Sequence, residues 1–200
     1  MKALFSILII LSILTTITSC HDCDKYRNEV YCDEESLGTE EKAKYEEVLV
    51  KLNLLNMNLD EPDMHKLDFE SYKLIFSSWL DGRNLIRLDK NKSLYTITFK
   101  EYSLKTGFND AIIERYYKRE ISENDWNRFE ALIYKHHFWT TDLFKERLVA
   151  DGCGIIIEGR RPQASRCGKK IDQIVIRFSP DNEDEIGILY REVMEYFIKD

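Results

Sequence analysis

The chain has 200 residues, of which 32% are charged and 12% aromatic, with 8 glycines, 3 prolines and a net charge of -7. This abundance of aromatic residues, with so little glycine and proline, excludes a disordered stalk and indicates a packed domain. The acidic balance argues against nucleic acid as a partner, because binding phosphates requires clustered cations.

The N-terminus has the pattern of an export signal. Lys2 precedes an apolar run from Ala3 to Ile17 that only serine and threonine interrupt. One positive charge, a short apolar segment and small residues before the cleavage site are the parts of a secretory signal peptide. Ile17-Thr18-Ser19-Cys20 resembles the lipobox of bacterial lipoproteins. The resemblance implies a signal peptide over residues 1–19 and a diacylglyceryl group and an acylated amine on Cys20.

A membrane-spanning helix is the alternative for this segment, but it needs about 20 apolar residues. Removal of residues 1–19 takes away one charged residue, Lys2, and changes the net charge from -7 to -8. Because an acidic surface does not attract anionic lipid, we expect the lipid alone to hold the protein at the bacterial cell envelope. Either the periplasmic face or the cell surface is compatible with the sequence.

The segment 20–38 is polar and without hydrophobic period, which predicts a tether. Residues 39–200 are expected to form a single domain. Thr39 has the character of an N-cap, and an apolar stripe at helical spacing predicts a helix to about Met57. From Phe69 to about Ile121 the period changes to two, which predicts an antiparallel meander of about four strands. These strands are Tyr72 to Trp79, Leu85 to Asp89, Leu94 to Leu104 and Ile112 to Glu120.

The second half of the chain predicts two more helices and a hairpin. Ser122 and Asp125 have the spacing of a capping box, followed by an amphipathic helix. Residues 140–150 are predicted to be loop with a helical turn. Two β-branched runs around the segment 159–168 predict a hairpin with a long loop. Asn182 or Asp184 begins the last helix. The predicted fold is α+β: one antiparallel sheet, the meander plus the hairpin, with helices on one face.

Four cysteines remain once Cys20 is assigned to lipid, an even number for a chain sent to an oxidising compartment. Two local disulfides are the simplest arrangement, Cys23 to Cys32 and Cys153 to Cys167. Spacings of nine and fourteen residues do not match a metal site, so no metal or cofactor is expected.

A second resemblance covers about Phe69 to Phe197. It is carried by four short motifs: Phe138-Trp139, Asp151-Gly152, Glu158-Gly159-Arg160 and Arg177-Phe178-Ser179-Pro180. In this order they resemble a group of uncharacterised exported bacterial proteins. This chain departs from that pattern in two ways. It has Cys153 and Cys167, which the pattern lacks, and its hairpin loop is longer and more basic. The resemblance supports the fold and implies no activity.

No common enzyme signature occurs in the chain. Glu158 and Asp151 flank a strand and could serve an envelope glycan or peptide hydrolase as an acid–base pair. An ion-pair network with Arg160 and Arg177 is the alternative. The adjacent histidines 136 and 137 point about 100° apart on a helix and cannot hold one ion together.

The hairpin loop is the most distinctive surface feature of this acidic chain. It carries five cations, Arg160, Arg161, Arg166, Lys169 and Lys170. It is either a solvated tip or a recognition loop for an acidic partner protein or an anionic envelope polymer. We therefore expect a non-enzymatic, lipid-anchored binding protein, for example an immunity-type lipoprotein against a competitor's toxin or an envelope accessory protein. The hydrolase and a structural subunit of an envelope complex are the alternatives.

Overall fold

The computed structural model describes residues 23, 26, 29, 31–78, 82–105, 110–147 and 152–198. Three α-helices lie in these residues: α1 (Thr39–Asn58), α2 (Glu123–Lys135) and α3 (Glu185–Phe197). The strands are β1 (Glu70–Ser77), β2 (Arg83–Asn91), β3 (Leu94–Leu104), β4 (Ala111–Glu120), β5 (Phe144–Glu146), β6 (Gly154–Arg160) and β7 (Asp172–Phe178). Short 3-10 turns occur at Glu34–Ser36, Met64–Lys66 and Pro162–Cys167.

All of the described strands belong to one sheet, in the order β4-β3-β2-β1-β6-β7-β5. The predicted hairpin extends the predicted meander, because β6 pairs antiparallel with β1 and places Ile157 opposite Leu74. β5 pairs parallel with β7, so the sheet is mixed. The α+β class is confirmed, but a purely antiparallel sheet is wrong. Three residues of β5 are too few to show a strand period, so this segment was predicted to be a loop.

The helices cover both faces of the sheet, not one as predicted. Leu74 and its neighbours on one face pack against α2 and α3, through residues such as Phe129 and Val193. Ile75 points to the opposite face, where Leu52 and Leu55 of α1 cover it. Neighbouring strand residues point to opposite faces. We call these faces the α2/α3 face and the α1 face.

The helix starts follow capping chemistry. Ser122 Oγ accepts a hydrogen bond from the Asp125 N–H at 3.1 Å, and Asp125 Oδ2 accepts from the Ser122 N–H at 3.1 Å. This confirms the predicted capping box of α2. Asp184 caps α3 by accepting from the N–H groups of Ile186 and Gly187. Helix α1 begins at Thr39 itself, and Gly38 occupies the cap position.

Strand register defines two ends of the sheet. Arg160 lies opposite Ser71 and Asp172, at what we call the tip end. Ser77 lies opposite Gly154, at the far end. Gly154 and Arg160 are six residues apart along β6, so the ends are separated by about 20 Å, at 3.3 Å per residue. The loop between β6 and β7, residues 161–171, therefore projects from the tip end and is called the hairpin tip.

Candidate functional site

The hairpin tip is held by ion pairs at its base. Arg160 donates from Nη1 to both carboxylate oxygens of Asp172, at 2.7 and 2.8 Å. Its Nε donates to the carbonyl of Leu67 at 2.5 Å. Asp172 is its cross-strand neighbour, so the pair closes the end of the β6–β7 ladder. Arg160 is thus committed to the fold.

Arg161 is fully buried. Its Nη1 and Nη2 donate to the two carboxylate oxygens of Glu29 at 2.7 and 2.5 Å. The guanidinium lies 3.7 Å from the ring centroid of Trp139 and 4.7 Å from that of Tyr26. A planar cation with a bidentate carboxylate and aromatic faces is the arrangement that favours arginine over lysine.

The same site perturbs two pKa values. Burial raises the pKa of Tyr31 to about 12, aided by the hydrogen bond and the charge of Glu29. Burial by itself lowers the pKa of Arg161, but the hydrogen bonds and charge of Glu29 outweigh it and the net shift is upward. Arg161 is therefore a permanent cation, and Glu29 stabilises it.

Segment 20–38, the predicted tether, contacts the domain through several of its described residues, while residues 33–36 are exposed. Tyr26 is buried, Glu29 pairs with Arg161, and Tyr31 packs on the main core. Lys170 of the hairpin tip donates to the carbonyl of Cys32 at 3.0 Å. Polar composition did not reveal this docking, because the contacts are with residues more than 130 positions away.

A disulfide joins Cys23 to Cys167, with the Cα atoms 5.5 Å apart. The predicted pairing of Cys23 with Cys32 and of Cys153 with Cys167 is therefore wrong. Cys153 directly precedes β6 and Cys167 lies in the hairpin tip beyond its other end, so the seven-residue strand separates them by about 23 Å. A disulfide needs Cα atoms within about 7 Å.

Among the described residues, Cys32 and Cys153 are free thiols. Cys32 lies 3.6 Å from the carbonyl oxygen of Thr140, and burial, followed by the charge of Asp142, raises its pKa. Cys20 lies outside the described residues, so its lipidation remains a prediction.

The five predicted binding cations thus separate into three groups. Arg160 and Arg161 are held in ion pairs of the fold. Lys170 is half-buried, and burial lowers its pKa. Arg166 is exposed, and Lys169 is half-buried with its ammonium 5.7 Å from the Tyr31 ring centroid. Only Arg166 and Lys169 remain for contact with a partner.

The sequence suggested an ion-pair network of Glu158 with Arg160 and Arg177. In the structure Glu158 pairs with neither arginine. It forms a buried ion pair with Lys73, its cross-strand neighbour on β1. Arg177 pairs with Asp184, at 3.2 Å. Asp151 lies outside the described residues, so the proposed carboxylate pair has one described member.

The Lys73–Glu158 pair is part of a wider set of buried charges on the α1 face. Glu61 accepts from Arg87 and lies within 2.6 Å of Lys100. Arg87 also donates to Asp89, at 3.0 Å. From the sequence these polar strand positions were indistinguishable from a solvent-facing row. The helix α1 and the segment that follows it cover them, and each charge has an opposite partner, as burial requires.

Two clefts lie between α1 and the sheet. One, of about 530 Å³, is lined by Glu158, Ile174, His65 and residues of the second half of α1. The other, of about 360 Å³, is mostly apolar and includes the free Cys153. Their volumes fall in the range of small-ligand sites.

Helix α1 carries a second apolar row, on its solvent side. Val50, Leu54 and Met57 are 61%, 38% and 78% exposed. Spacings of four and three residues place them next to one another on the helix. The predicted apolar stripe of this helix is the buried one and does not include these three residues. The sequence does contain this second row, and a helix that is apolar on more than one side normally has each apolar side covered by another surface.

Within the part of the chain that the structure describes, no cluster of three or more potential metal ligands occurs, and no helix has the length and hydropathy to cross a bilayer. His136 is buried with its two nitrogens 2.5 Å and 3.3 Å from Glu185 and Glu192, while the neighbouring His137 is exposed. The two histidines therefore have separate surroundings.

Comparisons with family models, curated proteins and solved structures gave no match to this chain.

Proposed function

We propose that this is a lipid-anchored cell-envelope protein that binds a partner protein through the exposed row of α1. The lipobox-like sequence before Cys20 supports the anchor. The Cys23–Cys167 disulfide supports export, because disulfides persist in oxidising compartments.

The observation that carries partner binding is the exposure of Val50, Leu54 and Met57 on one side of a helix. Covering such a row removes apolar surface from water, which is the main driving force of association. Methionine adapts its shape to a partner, and Met57 is the most exposed of the three.

The charges beside the row define the partner. Glu46 and Glu47 are exposed one turn before Val50, with Glu47 paired to Lys51, and the mature chain is predicted to carry a net charge of -8, so the acidic character of this rim rests on Glu46 and the net charge. An acidic rim favours a basic rim on the other side. The partner is therefore a cationic protein with an apolar contact, which fits an immunity-type lipoprotein that blocks a basic toxin.

The test is capture of the partner from envelope extracts through a C-terminal tag, followed by titration of the purified partner. Leu54→Ser/Met57→Ser should weaken binding at least tenfold. Ile112→Ser/Ile113→Ser is the matched control, because it removes two apolar side chains of 39% and 40% exposure from β4.

The affinity should also fall at least tenfold between 50 and 300 mM salt, because screening weakens the attraction between charged rims. If the protein is an immunity-type lipoprotein, cells that carry the Leu54→Ser/Met57→Ser variant should be unprotected against the toxin. Equal binding by wild type and the α1 variant would exclude this surface. Stable co-purification with a membrane complex, with no toxin phenotype, would indicate a structural subunit instead.

A hydrolase is the second candidate, because Glu158 and His65 line the 530 Å³ cleft. A carboxylate and an imidazole at one cleft can transfer protons to and from a glycan or a peptide. Loss of envelope glycan or peptide hydrolysis in Glu158→Gln and Asp151→Asn proteins that are still folded by circular dichroism would support it, because Glu158 also pairs with Lys73, and full activity in both would exclude it.

A further inference from the structure

The disulfide places the hairpin tip beside the lipid attachment site. Cys23 follows the predicted lipid-bearing Cys20 by three residues, which span at most about 11 Å. Cys167 is bonded to Cys23, with a Cα distance of 5.5 Å. The Cα atom of Cys167 is therefore within about 17 Å of that of Cys20.

Further contacts prevent the tip from separating from this segment. Glu29 holds Arg161 by two hydrogen bonds, and Tyr26 covers the same guanidinium. The N-terminal segment is thus held against the tip end of the sheet at its described residues Cys23, Tyr26 and Glu29.

From these contacts we infer that the tip end of the sheet faces the membrane and that Arg166 and Lys169 bind anionic phospholipid headgroups. The inference rests on the proposed lipid anchor at Cys20. It replaces the acidic protein partner expected for this loop, because a lipid-bound Cys20 leaves the tip closer to headgroups than to the open envelope space.

The chemistry of the tip fits this position. Arg166 is exposed, and Lys169 follows it by three residues. Basic side chains near a lipid anchor reinforce binding to an anionic surface even when the net charge of the protein is negative, because salt screens charges more than about 8 Å away. Asp33, 3.8 Å from Lys170, and Glu34 also lie near the tip, so the inferred attraction rests on Arg166 and Lys169 themselves and not on the net charge of the tip.

The orientation leaves the proposed partner surface accessible. Helix α1 crosses the sheet from β5, where Lys44 meets Glu146 at 2.6 Å, to β3, where Lys100 donates to the carbonyl of Leu59. Its exposed row faces sideways relative to an axis from the tip end to the far end.

The experiment uses the full-length protein, processed in cells and reconstituted into vesicles. Mass spectrometry of the N-terminal peptide first establishes whether Cys20 carries lipid. An unmodified Cys20 would contradict the proposed anchor. The orientation is then tested only on lipidated protein, so the two failures are distinguishable.

A fluorophore reports the distance of each end from the bilayer. It is placed at Ser165→Cys on the hairpin tip or at Lys105→Cys beyond β3 at the far end, both in a Cys32→Ser/Cys153→Ser background. Headgroup-labelled quencher lipid should quench the probe at 165 at least threefold more than the probe at 105. Equal quenching, or stronger quenching at 105, would overturn the inferred orientation.

The charge component has its own control. Arg166→Glu/Lys169→Glu should reduce quenching at 165 at least twofold in vesicles with 30% anionic phospholipid, and should have no effect in neutral vesicles. Lys105→Glu/Arg147→Glu is the matched change at the far end. It should leave the quenching at 165 unchanged in both anionic and neutral vesicles. If the tip variant behaves like wild type in anionic vesicles, headgroup binding is excluded and the tip cations are left for an acidic protein or polymer.

Discussion

Arg161 and Glu29, 132 residues apart in the sequence, form a bidentate ion pair that fastens the N-terminal segment to the hairpin tip. Both members of the pair are buried, with side-chain exposures of 0% for Arg161 and 9% for Glu29. It acts next to the Cys23–Cys167 disulfide, so one covalent and one ionic contact hold the same two segments together.

Replacing Arg161 should destabilise the fold strongly. Arg161→Ala leaves the Glu29 carboxylate buried without its cation, which costs about 3–5 kcal/mol. Urea unfolding followed by tryptophan fluorescence measures the loss. Arg166→Ala in the same hairpin is the control and should leave the midpoint unchanged, because its side chain is exposed. Equal midpoints for the two variants would contradict the ion pair.

The disulfide pairing is directly testable. Non-reducing peptide mass spectrometry should find Cys23 joined to Cys167, and alkylation without reduction should label Cys32 and Cys153. Cys23→Ser/Cys167→Ser should lower the free energy of unfolding by up to about 5 kcal/mol, since the closed loop exceeds 100 residues. Cys32→Ser/Cys153→Ser should have a much smaller effect. A peptide linking Cys23 to Cys32 would show that the sequence-based pairing is correct after all.

The Lys73–Glu158 pair should behave as a buried unit. Lys73→Ala should cost about 3–5 kcal/mol, because it leaves a carboxylate uncompensated in the α1 face. Lys73→Met/Glu158→Leu should recover most of that loss, because it removes both charges and keeps the volume. The control, Lys66→Ala, removes an exposed lysine and should not change the unfolding midpoint. A double variant as unstable as Lys73→Ala would show that packing, not charge, explains the loss.

Alkaline pH should weaken the N-terminal docking through Tyr31. The folded protein holds the phenol proton up to a pKa of about 12, whereas the unfolded chain loses it near pH 10. Between about pH 10 and 12 the unfolded state binds fewer protons, so the stability from this group is complete below pH 10 and falls as pH rises to 12. Thermal unfolding over this range should show a shallower decline in Tyr31→Phe. Ionisation of Tyr31 near pH 10, seen by NMR of labelled tyrosine rings, would contradict the prediction.

Local chemistry was sufficient for much of the fold. Ser122 and Asp125 predicted the start of α2 because a capping box is completed within four residues. The alternation of Tyr72, Leu74 and Phe76 predicted β1 because the side-chain period is a property of the strand itself. The buried face of α3 followed from helical spacing in the same way.

Tertiary structure decided the rest. The sequence by itself determined most of the segments that become helices or strands, with β5 as an exception, that the class is α+β, and that the N-terminus has the pattern of a lipoprotein signal. It did not determine that Arg161 is a core residue, that Cys23 bonds to Cys167, or that α1 covers the polar row around Lys73. Each of these depends on a partner distant in sequence, and a charge looks the same in the sequence whether water or an opposite charge surrounds it. Long-range pairing, which only the folded chain brings about, therefore decided which cations stabilise the fold and which remain exposed for binding.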